Sequence, residues 1–155
     1  MLRIFGVLFV GLFLAIAGWS LTPKFAAAAE DGRELVKLPP MMQEHMLDNM
    51  RDHLVALDEI LGELAEGNID KAAKIAEDRL GMSSLSLHGA AHMAEFMPEK
   101  MKAIGTQMHR SASRFVIVAR DAELIPGKDS QRKVYGALRA ITENCNACHQ
   151  SYRIR

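Results

Sequence analysis

Apolar residues recur along this chain at helical spacing, and no segment alternates as a half-buried strand requires. The clearest run is Met46, Met50, Leu54, Leu57, Leu61 and Leu64, spaced 4, 4, 3, 4 and 3. That spacing predicts a helix with one apolar stripe of the kind that bundles bury. Pro39-Pro40 suits its first turn, and Gly67-Asn68 stops it after about Glu66. A shorter helix is predicted from about Ile69 to Leu80, with Ala72, Ala76 and Leu80 inward and Gly81 ending or kinking it. Residues 82–96 are looser, with three serines and Gly89, and have room for a helical turn or two. A third helix opens at Pro98 and runs to about Glu123, with Met101, Ile104, Met108, Phe115 and Val118 as its inner stripe. Leu124-Ile125-Pro126-Gly127 reads as a turn, after which Asp129 or Ser130 caps a fourth helix. Its stripe is Val134, Leu138, Ile141, Cys145, Cys148 and Tyr152, spaced 4, 3, 4, 3 and 4. Four helices with short connections predict an all-α fold, an antiparallel up-down-up-down four-helix bundle.

The start of the chain follows a different pattern. A short basic opening, Met1-Leu2-Arg3, precedes the almost wholly apolar run Ile4 to Leu21, and Ala26 to Ala29 offers small residues for cleavage. Residues 1–29 are therefore expected to be a secretory signal peptide, and 30–155 the functional domain. Eighteen apolar residues also suffice for an N-terminal anchor, the one route by which a membrane would enter if the leader were uncleaved. Either way the domain is expected to be exported, in a bacterium to the periplasm.

Charge narrows the partners. The 155-residue chain has 19 basic and 19 acidic residues, and removing Arg3 and Lys24 with the leader leaves a formal charge of −2. That balance gives no electrostatic case for nucleic acid. There is no Ser/His/Asp pattern, Gly-rich phosphate loop or evident carboxylate pair, so no enzyme is expected. His109, with Ser111 and Ser113, reads as an outward polar face of the third helix.

The candidate chemistry lies in Cys145-Asn146-Ala147-Cys148-His149, which holds both cysteines of the chain. Cys-x-x-Cys-His is the attachment sequence for a c-type haem: the thiols form thioethers and the histidine reaches the iron. A zinc site would need two further ligands. His88 and His92 offer them only in reverse order and more than fifty residues away. A thioredoxin-like pair needs a βαβ setting that the pattern lacks, and a plain disulfide gives His149 no role. Both cysteines fall on the inward stripe, as a buried haem near the end of the last helix requires.

In the predicted topology the attachment motif shares one pole with residues 41–53, 82–97 and Met101. These segments hold most of the domain's methionines, with His45, His53, His88 and His92. Most of the methionines are expected to pack the macrocycle. One could serve as second axial ligand opposite His149, raising the reduction potential. Met46 is best placed, with Met42 and Met50 one turn away. His45 and His53 remain alternatives, although both are expected to be exposed polar residues beside the stripe.

The run Cys145-Asn-Ala-Cys-His-Gln-Ser-Tyr-Arg153, at the end of a four-helix chain, resembles the class II c-type cytochromes, which comprise the high-spin cytochromes c-prime and their low-spin, six-coordinate relatives. The resemblance implies Cys145 and Cys148 as thioether sites, His149 as proximal ligand and Arg153 as a basic residue near the proximal face. The segment His45-Met46-Leu47-Asp48-Asn49 resembles the helix that carries the axial methionine in low-spin members, with Met46 where the c-prime branch often has leucine. It also allows a homodimer through the first two helices.

The expected function is that of a monohaem one-electron carrier with His/Met ligation and small, transient contacts with redox partner proteins. The alternative is a c-prime-like protein binding diatomic gases at an open or labile distal site. A third reading is copper handling through the Met- and His-rich 82–101 stretch, with His88 and His92 as imidazole ligands.

Overall fold

The computed structural model describes residues 31–155, and the expected leader lies outside them. Residues 32–155 form one compact unit. It is all-α apart from one two-residue strand pair, and among the described residues no helix is long and apolar enough to cross a membrane.

Helix α1 spans Pro40–Ala65, with Pro at its first position, where the missing N–H is no loss. Helix α2 (Ile69–Ile75) runs directly into a π-helical turn, Ala76–Leu80. Gly81 ends that turn by going extended (ψ 178°), and a β-carbon there would lie 2.7 Å from the Glu77 carbonyl oxygen. A 3₁₀ turn (Met82–Ser86) and a short helix α3 (Ala90–Ala94) fill the looser stretch. Helix α4 spans Glu99–Leu124 and α5 spans Lys128–Ser151. Neither Asp129 nor Ser130 caps α5: its N-cap is Gly127, and the Ser130 hydroxyl donates instead to the Ile125 carbonyl.

Helices α4 and α5 are closely paired, while α1 lies against α2 and the π-turn, which in turn lie against α4. The main core joins Ala56, Ile60, Ala72, Ala76, Leu80, Met108, Ala112, Phe115, Val134, Leu138 and Ile141. Strand β1 (Glu34–Leu35) pairs in parallel with β2 (Tyr152–Arg153), and the Val36 amide donates to the Arg153 carbonyl at 2.8 Å. No alternation announces these strands, because two residues carry no period. Tyr152, expected on the α5 stripe, is buried from β2 instead.

The buried stripe of α1 differs from the expected one. It is Met46, Asn49, His53, Ala56 and Ile60, whereas Leu54 is 70% and Leu61 52% exposed. The helix is apolar over a wider arc than the polypeptide covers. The large leucines draw the eye, but the protein core takes the flank that carries Ala56 and Ile60.

Candidate functional site

The attachment motif occupies the last turns of α5. Cys145 and Cys148, three residues apart, share one face and are half-buried, with both thiols free. Burial pushes both thiols up from their usual range, so they are neutral. They look into a cleft of about 300 Å³ between three helices. Asn144, Cys145, Cys148 and His149 line it from α5, Met50, Leu54 and Leu57 from α1, and Ile104, Gly105 and Met108 from α4. The exposed Leu54 thus has an apolar face opposite the two sulfurs.

His149 also lines a second cleft of about 280 Å³, with Met46, Met50, Met97, Met101, Cys148, Tyr152 and Arg153. Arg33 donates to the His149 carbonyl at 3.2 Å, and the β1–β2 pair carries Arg153 to this wall. The fold thus sets Cys145, Cys148, His149, Met46 and Arg153 on adjoining clefts. The methionines gather as expected: buried Met46, Met93 and Met101 and half-buried Met42, Met50 and Met97 form one apolar cluster that includes Cys148. Met46 and Met50 line the cleft with His149, whereas Met42 only packs behind it.

The histidines differ from expectation. His45 and His53 are not exposed. His45 Nε2 donates to the His88 carbonyl at 2.9 Å, and His53 is 7% exposed. His109 and Ser111 are buried too, so that face of α4 points inward. His88 does not pair with His92, which lies exposed. Instead His53, His88 and His109 form a buried group whose ligand atoms all lie within 4.8 Å of one another. His53 Nε2 stands 3.4 Å from His88 Nδ1. His109 Nδ1 donates to the Leu80 carbonyl at 2.8 Å.

Burial, then the neighbouring imidazoles His88 and His109, bring His53 down to about 4. Burial lowers His88 and His109 as well. Asp52 next door is held by Arg79, which also reaches Glu59 and so ties α1 to the π-turn. The group borders a further cavity of about 330 Å³, walled by Met46, Met50, Met93, Met97 and Met108.

Spacing missed this group because its members lie on three elements. The signal available was His53 itself, in register with Met46, Asn49, Ala56 and Ile60 on one helical face.

No family model matches this chain, and no curated protein or solved structure is significantly similar to it.

Proposed function

We propose that this chain is an exported monohaem electron carrier of the class II c-type cytochrome kind, built as an up-down-up-down four-helix bundle with haem c attached through Cys145 and Cys148. What supports the reading above all is the cleft between α1, α4 and α5. It presents two neutral thiols and an imidazole on one wall and an unshielded apolar surface, Leu54 with Met50 and Leu57, on the other. A thioether-forming pair needs free sulfurs on one face, and a planar macrocycle needs apolar walls; these residues fit both needs.

A haem held there supplies one-electron cycling of its iron. The chain's own residues set the conditions. His149, its backbone tethered by Arg33, would hold the iron through its imidazole. Met46, buried on α1 and on the cleft shared with His149, would supply a thioether to the iron, a pairing that favours a high potential. Arg153, half-buried on the same wall, places positive charge near the proximal side. The methionine cluster excludes water and fills irregular space around the ring. No substrate bond is made or broken, partner proteins meet the cytochrome transiently, and the periplasm is its compartment.

A second reading, reversible binding of small uncharged diatomic ligands, draws on the apolar cavity beside Met46. Spectra of the full chain from an export-competent host with haem-attachment machinery separate the two. A mass increment for one haem and a low-spin six-coordinate spectrum that turns high-spin in Met46→Leu support the carrier. A high-spin spectrum in the wild type supports gas binding. Colourless protein without the increment sinks both.

A further inference from the structure

We propose that His53, His88 and His109 form a tris-imidazole site for one first-row transition ion of the zinc and copper type, with its fourth position open to the methionine-walled cavity. The site goes beyond the haem reading: none of its residues belongs to the attachment motif, and of the three only His53 also borders the cleft beside Cys145 and Cys148.

Geometry carries the proposal. Two ligands of a tetrahedral ion with metal–nitrogen bonds of about 2.0–2.1 Å stand roughly 3.3 Å apart. His53 Nε2 and His88 Nδ1 are 3.4 Å apart, a tetrahedral edge already set. The third imidazole lies within 4.8 Å of both, so closing the triangle takes a movement of at most about 1.5 Å. The ring centroids stand 4.7, 5.3 and 5.8 Å apart, and the planes are splayed rather than stacked, as convergence on one point requires.

The surroundings match a metal site as well. A ligating histidine commonly gives its other ring N–H to a carbonyl or carboxylate, which fixes the tautomer. His109 does this: Nδ1–H donates to Leu80, so the Nε2 lone pair is the one left for an ion. The carbonyl it uses is the last of the π-helical turn, a feature often found at functional sites. His88 is held by its backbone oxygen, which accepts from Asn49 at 3.0 Å and His45 at 2.9 Å. Gly89 follows at φ +59°, and a β-carbon there would lie 2.9 Å from His45 Nε2. Three elements thus deliver one imidazole each, two of them braced by hydrogen bonds to backbone oxygens.

Donor chemistry selects the ion. The set is neutral nitrogen with no oxygen ligand, which disfavours calcium and magnesium. Imidazoles suit zinc and copper, and thioethers on the adjoining wall suit Cu(I). An apolar residue at any of these positions would fill the same space without the desolvation cost.

The test is titration of the chelator-treated full chain with Zn(II), and anaerobically with Cu(I), using Mg(II) as control. Binding is read as bound metal per chain in excess of iron. The expected result is one ion per chain with Kd below about 1 µM, no magnesium, and about 100-fold weaker binding in His88→Gln and His109→Gln. His92→Gln, on the exposed neighbour, binds as wild type. X-ray absorption of the loaded wild type gives three imidazole nitrogens at about 2.0 Å, a readout that survives if a variant fails to fold. No uptake of either ion, undiminished binding in folded His88→Gln and His109→Gln, or a first shell without imidazole overturns the proposal.

Discussion

At the scale of the residue, three imidazoles in one buried group dominate the electrostatics. Burial lowers all three from their ordinary value, and repulsion from neighbouring imidazoles adds to this at His53, which comes down to about 4, and at His88. Arg79 and His45 reinforce this among the facing groups, and Asp52 opposes it. In the unfolded chain each ring takes a proton near 6.5, so acid favours unfolding. Stability of the metal-free protein is full above that value and falls as pH drops toward 4. Urea midpoints at pH 7 and pH 5 check this, and the decline is smaller in His53→Gln. Gly89 has two reasons to be glycine, its positive φ and the His45 ring beside it. Gly89→Ala costs about 1–2 kcal/mol in urea denaturation and weakens zinc binding, because the brace on His88 is disturbed.

At the scale of the element, α1 has two apolar flanks with different partners. Ile60 is fully buried in the protein core, while Leu54 is largely exposed and lines the cleft. In haem-free protein Ile60→Ala costs about 2–5 kcal/mol, and Leu54→Ala stays within about 0.5 kcal/mol. In haem-loaded protein Leu54→Ala gains a measurable cost, seen as a lowered Tm against loaded wild type. The same divided face shows where sequence reasoning reached and where it stopped. Pro39, Pro98 and Gly81 sit at boundaries for covalent and steric reasons, so helix limits were legible almost to the residue. That Cys145, Cys148 and His149 share one cleft was legible because i, i+3, i+4 spacing sets them on one helical face. The α1 stripe was misplaced because Leu54 and Leu61 obey the same period whether they face protein or a cleft. The inward histidines were missed because burying a polar ring depends on partners such as the Leu80 carbonyl, which no local pattern encodes.

At the scale of the whole molecule, the polar features that bridge distant segments include the Arg79 ion pairs between α1 and the π-turn, and the parallel strand pair. The pair is short, but it buries Val36 and Tyr152 against the methionine cluster. Tyr152→Ala costs about 3 kcal/mol. In hydrogen exchange it strips protection from the Val36 amide while amides of α4 and α5 keep theirs.

That strand pair joins segments separated by nearly the entire described chain; even the neighbouring Arg33–His149 contact closes a span of 116 residues. Contacts of such long range form late, because the chain must first surrender the entropy of the loop between them. The wall made by Tyr152 and Arg153 is accordingly the last to be set in place. On the proposed reading, a bulky flat guest would still reach the two sulfurs from the side before that wall closes.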